Sequence, residues 1–98
     1  MATIGSVPLL DNLGGKLTGS VSIPMGASKV YFTQDSGTYV YMGLTEAGVG
    51  IAEQRFALGN IADVPYVFEF PASFGQTTLF FTVADGAIPT ARLYYMIL

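Results

Sequence analysis

The chain has 98 residues, 51% of them hydrophobic and only 11% charged, with a net charge of −3 and four basic residues in all. One domain fits this length, and disorder of the whole chain does not fit this composition. Four scattered cations cannot displace the counterions of a nucleic acid. With neither Cys nor His, disulfides, thiol and imidazole catalysis and the usual zinc sites are excluded.

Residues 1–16 read as an N-terminal arm or a first edge strand, ahead of a single β domain over residues 17–98. Val7-Pro8-Leu9-Leu10 is followed by Asp11-Asn12 and Gly14-Gly15, and such a segment can order against a neighbour. An arm of this kind is removable without unfolding the domain. Met1 to Leu10 lacks the basic start of a signal peptide, and Ala2 after the first Met excludes myristoylation.

From Leu17 the period is two. Leu17, Gly19, Val21 and Ile23 alternate with Thr18, Ser20 and Ser22, the pattern of a half-buried strand. Lys29 to Thr33 is a second strand, with Val30 and Phe32 on one face and Tyr31 on the other. Asp35-Ser36-Gly37 is a tight turn, and Thr38 to Leu44 returns as its hairpin partner.

Glu46 to Leu58 reads either way. Gly48 and Gly50 oppose a helix, whereas Ile51 to Leu58 holds good helix formers. A strand is favoured because its neighbours are strands, with Glu53 and Arg55 paired on its outer face. Val64 to Phe70 alternates, placing Val64, Tyr66, Phe68 and Phe70 inward and Val67 and Glu69 outward. Pro65 there predicts an edge position or a late start. Phe74-Gly75-Gln76 connects to a strand over Thr78 to Ala84, and Asp85-Gly86 turns the chain again. The longest uncharged stretch, Phe70 to Ala84, is broken by Pro71, Gly75 and Gln76, so no membrane span is expected.

Ala91 to Leu98 is the last strand, and after Arg92 both of its faces are apolar. A sheet covered on one side shows alternation, so this strand predicts cover on both. The predicted fold is all-β, a small antiparallel sandwich or barrel of about 6–8 short strands. One inner face per strand then leaves Tyr31, Tyr39, Tyr41, Val67, Tyr94 and Met96 outside. That set exceeds the apolar patch a small monomer usually exposes. The expected interface residues are Val7, Leu9 and Leu10 from the first segment, Tyr39 and Tyr41, and Leu93, Tyr94, Tyr95, Met96 and Leu98 from the last strand.

Chemistry-bearing constellations are weak. Serine hydrolysis is reduced to Ser20 or Ser28 with Lys16 or Lys29, and Ser28 and Lys29 are neighbours that point to opposite strand faces. The acids Asp11, Asp35, Glu46, Glu53, Asp63, Glu69 and Asp85 are scattered singly, unlike a glycosidase pair. Asp35, Asp63 and Asp85 are candidates to meet at one end of a sandwich as a calcium site, but turn capping explains them better. Gly48-Val49-Gly50 lacks the rest of a phosphate loop. No catalytic residue, metal or cofactor is assigned, and an enzyme is not expected.

This short acidic chain without Cys, His or Trp, with a Gly-rich segment at Val7 to Gly15 and a two-faced last strand, resembles the small all-β structural proteins of tailed phages. Capsid cement or decoration proteins are the nearest class, by composition and layout only. The resemblance implies a homo-oligomer, often a trimer, made in the host cytoplasm and bound to a major capsid protein on the virion. It implies no nucleic-acid or membrane partner. An arm would add a strand to a neighbour's sheet, and repeated weak contacts would stabilise the shell. The alternative is a glycan- or receptor-binding β module on a fibre or tail, with Tyr39 and Tyr41 stacking on sugar rings.

Overall fold

The structure, a computed structural model, describes residues 3–11, 13–58, 65–70 and 75–98. Among these residues eight strands form two antiparallel four-stranded sheets: β1 (Thr3–Pro8), β2 (Gly19–Ile23), β3 (Lys29–Asp35), β4 (Val40–Gly43), β5 (Arg55–Ala57), β6 (Tyr66–Glu69), β7 (Thr77–Val83) and β8 (Arg92–Ile97). The first sheet has the order β1-β8-β3-β6 and the second β2-β7-β4-β5. This is the small sandwich that the alternating sequence predicts. Among the described residues no helix is long and apolar enough to cross a membrane.

Alternation decides what each strand buries. In β2, Val21 and Ile23 are buried while Ser20 and Ser22 are exposed; in β3, Val30, Phe32 and Gln34 are buried; in β7, Leu79, Phe81 and Val83 are. These inner faces interlock between the sheets. The Phe32 ring lies 5.0 Å from that of Phe81 in the opposite sheet and 5.7 Å from Phe68 beside it in β6. Tilted and edge-on pairs of this kind add roughly 0.5–1.5 kcal/mol each beyond their buried area.

The β3–β4 hairpin expected from Asp35-Ser36-Gly37 does not form. Both edges of β3 are taken, by β8 on one side and β6 on the other. The chain therefore crosses at this turn into the second sheet, where β4 pairs with β7 and β5. Gly37 supplies the left-handed residue of the crossing, at φ 74°.

Two buried polar side chains hold the arch. The Gln34 Oε1 accepts hydrogen bonds from the Ser36 backbone N–H at 2.8 Å and is 2.7 Å from Ser36 Oγ. Thr38 N–H donates to Ser36 Oγ at 3.2 Å, and Gln34 Nε2 donates to the Thr38 carbonyl. These bonds replace the ladder that a hairpin would have made.

The Glu46–Leu58 strand is also corrected. This segment holds two short 3₁₀ turns, Gly48–Gly50 and Ala52–Gln54, and only Arg55–Ala57 pairs as a strand. The first turn packs Val49 against Gly43 of β4, where an added Cβ would lie 3.0 Å from the Val49 backbone. A side chain at position 43 would thus require the Val49 turn to give by a few tenths of an ångström. Near the other expected strand, Pro65 stands just before β6, which is an edge strand; Tyr66, Phe68 and Phe70 pack against the core, and Val67 and Glu69 are exposed. Val64 and Phe74 lie outside the described residues.

Thr3–Pro8 is an edge strand paired along its length with β8. Leu9, directly after it, is fully buried in the core, and its N–H donates to the Ala91 carbonyl. The following loop is tied by Asp11, whose Oδ1 accepts from the backbone N–H groups of Leu13 and Gly15 at 2.8 and 2.7 Å. Of the two readings of residues 1–16 the structure has the first edge strand, and with the core side chain that follows it the segment's removal is expected to cost the domain stability.

Two stability changes follow. Leu9→Ala removes a fully buried side chain and is expected to cost about 2–5 kcal/mol in chemical denaturation. Ser36→Ala leaves the Thr38 N–H without its acceptor and is expected to cost about 1–3 kcal/mol by the same measurement. An equal, near-zero effect of both would contradict this account of the core and arch.

Candidate functional site: the outer faces of the two sheets

Strand pairing places outward residues in ranks across each sheet, because directly opposed residues share a face. On the first sheet, Val67, Tyr31, Met96 and Ile4 form one rank through all four strands. The adjacent rank holds Thr33, Tyr94 and Ser6. Ile4 is 77% exposed, Val67 48% and Tyr94 41%. A shallow depression of about 300 Å³ opens here, lined by Ile4, Tyr31, Thr33, Pro65, Tyr94 and Met96.

Among the described residues, charge on this face lies at its two ends. One end carries Glu69 and Lys29, paired at 3.5 Å, beside Leu98. The other carries Asp35 opposite Arg92, with Pro8 beyond. Arg92 leans away from Asp35, and its Nε and Nη2 donate to Ser6 Oγ at 3.2 and 3.0 Å. An apolar centre with a polar rim is the anatomy of a protein interface.

The second outer face is chemically different. Ser20 and Ser22 of β2, Thr78, Phe80 and Thr82 of β7, Tyr41 of β4 and Arg55 and Ala57 of β5 point outward. Tyr39 and Tyr41 stack at 6.4 Å with their planes 17° apart. The Arg55 guanidinium sits 3.7 Å from the centre of the Tyr41 ring, a cation–π contact. Arg55 thus turns to Tyr41 rather than to Glu53, its expected partner. At the rim, Lys16 Nζ lies 2.6 Å from Asp85 Oδ1.

The ten expected interface residues divide. Tyr94 and Leu98 are exposed and Met96 half-buried on the first outer face, while Tyr39 is 45% exposed and Tyr41 half-buried on the second. Leu9 and Leu93 are fully buried within the chain's own core, which removes them from any surface. Val7, Leu10 and Tyr95 are half-buried and pack against that core. The two apolar faces of β8 therefore have different covers: Leu93, Tyr95 and Ile97 face the second sheet, whereas Tyr94 and Met96 face out. Ile4 is the member of the apolar rank that sequence reasoning missed. Its signal is its alternation with Thr3 and Gly5, inside the segment that reads as an arm or a first edge strand.

For the lysine and carboxylate candidates, Lys16 and Lys29 are each held by a carboxylate. Among the described residues no three acidic side chains come together as a metal site; Asp63 lies outside those residues. Compared with known protein families, curated proteins and solved structures, the chain matches none.

The Lys16 ammonium, hydrogen-bonded to Asp85 and beside it, holds that carboxyl below its ordinary pKa. A depressed folded-state pKa contributes stability above the unfolded value, and that contribution is lost as pH falls through the folded value. Both groups are solvent-exposed, so the contribution is small. Lys16→Met is expected to raise the Asp85 titration midpoint in carboxyl-carbon NMR while the thermal midpoint at neutral pH barely moves; an unchanged Asp85 titration would contradict the pairing.

Proposed function

We propose that the chain is a non-enzymatic structural protein that works by adhesion, as a capsid cement or decoration protein does. The observation that carries this reading is the rank Val67–Tyr31–Met96–Ile4, an apolar band across the whole outer face of one sheet. Water gains nothing by contacting this band, and covering it with protein is favourable at roughly 25 cal/mol per Å² before association costs. The composition supports the same reading, since 11% charged residues leave little to keep so much surface solvated. The partners under this reading are other copies of the chain, which cover the band, and a shell protein presented many times on a lattice, where modest contacts add through multivalency.

The glycan-binding alternative draws on the second face, where Tyr39 is 45% exposed beside Tyr41. It is weaker because Arg55 already occupies one side of the Tyr41 ring. A sugar would have to displace that cation or use Tyr39 alone.

The test uses empty shells assembled from a panel of tailed-phage major capsid proteins. Added chain is expected to co-sediment with the shells and to raise the temperature at which they fall apart. Val67→Glu is expected to abolish both effects while leaving the β spectrum intact. Failure of the unaltered chain to attach, or saturable binding of a free oligosaccharide at Tyr39 by saturation-transfer NMR, would overturn the reading.

A further inference from the structure

We propose that the outer face of the first sheet binds a second copy of this chain about a two-fold axis parallel to its strands, with Arg92 of each copy paired to Asp35 of the other. The inference rests on reading this face as an assembly surface, and it names the occupant.

Three of the chain's four cations are already engaged. Lys16 is paired with Asp85, Lys29 with Glu69, and Arg55 lies on the Tyr41 ring. Arg92 has only the Ser6 hydroxyl among the described residues, which leaves guanidinium donors and a full charge to spend. Asp35 stands opposite it in the register but forms no ion pair with it, because Arg92 turns toward β1. Among the described residues, one unpaired charge of each sign therefore sits at the same end of a face whose middle is uncharged.

A closed dimer uses the same patch twice, so each residue must suit its counterpart under the two-fold. An axis running between β8 and β3, parallel to them, exchanges the columns and keeps the ranks. It lays β8 of one copy over β3 of the other, and β1 over β6. Arg92 then meets Asp35, and by symmetry Asp35 meets Arg92. Met96 meets Tyr31, a sulfur–aromatic contact. Ile4 meets Val67, and Tyr94 meets Thr33. Every outward pair in the central ranks is matched in chemistry. The other in-plane axis, perpendicular to the strands, would set Arg92 over Leu98 and bury a charge against an apolar side chain.

Sheets stack face to face with their strands within about 30° of each other, which accommodates the parallel axis. Four strands about 4.8 Å apart and about 20 Å long give a footprint of roughly 400 Å² per copy before side-chain relief is counted. With relief, the buried total lies near the lower limit for specific interfaces, about 1,200 Å². A reversible dimer is expected, not an obligate one.

The experiment is sedimentation equilibrium of the purified full chain over roughly 5–500 μM, a range suited to micromolar association. The unaltered chain is expected to pass from monomer to dimer. Asp35→Arg alone and Arg92→Asp alone each set like charges together in the homodimer, and each is expected to weaken association at least about tenfold. Mixing the two variants restores both opposite-charge pairs in a heterodimer, so association should return. A folding defect cannot produce that rescue. If either reversal fails to fold by its NMR dispersion, Val67→Glu, at an exposed position, is expected to give a folded monomer instead. A monomer throughout the range, a trimer, a dimer indifferent to these changes, or a mixture that stays monomeric overturns the proposal. A monomer that still attaches to shells overturns the dimer and spares the shell reading. A dimer that binds no shell supports the dimer and removes the shell reading.

Discussion

Phe32 packs against Phe81 across the space between the sheets, 5.0 Å from ring to ring. On that contact the rest of the molecule depends. It commits one face of β3 and one face of β7 to the interior, and through the ladders it commits every neighbouring strand. Because side chains alternate along a strand, burying Val30, Phe32 and Gln34 forces Tyr31, Thr33 and Asp35 outward. The outer faces are thus a consequence of the core, and their composition is what remains to be explained.

The same constraint shapes the path of the chain. β3 is hydrogen-bonded on both edges, so β4 has no ladder to join there and must enter the other sheet. Among the described strands, only β4 and β5 are consecutive members of one sheet. The other connections pass from sheet to sheet, and nearly all strand pairing is between distant parts of the sequence. Gln34 and Ser36 make one such crossing tolerable by satisfying the buried backbone where no ladder exists. A fold of this kind closes long loops before it gains contacts, which slows folding relative to a hairpin-rich sandwich.

The two outer faces divide the labour that composition alone assigns to the whole surface. The second carries hydroxyls, a tyrosine pair and an arginine already engaged with one ring. Its polar groups have water or each other. The first carries a continuous apolar rank with charge, among the described residues, only at its ends, and one of those charged pairs is internally satisfied while the other is not. This asymmetry, more than the total apolar content, is the reason to read adhesion into the chain.

Much of the architecture was legible because a period of two is a local property. Val21 and Ile23, Val30 and Phe32, and Tyr66 and Phe68 could each be assigned a face from their neighbours alone, and Pro65 marked an edge because it has no N–H to donate. The surface tyrosines were legible for the same reason. What local pattern cannot carry is which strand lies beside which. The turn at Ser36-Gly37 signals a change of direction equally well for a hairpin and for a crossing, and only the occupied edges of β3 select the crossing. Leu93 and Tyr94 are adjacent apolar residues of one strand, and nothing in their identity says that one fills the core and the other meets solvent. The second sheet decides that, by standing on one side of β8 and not on the other. Alternation along the chain is set by backbone geometry and can be read from the amino acids; the meaning of each face is set by what packs against it, and that exists only once the two sheets have met.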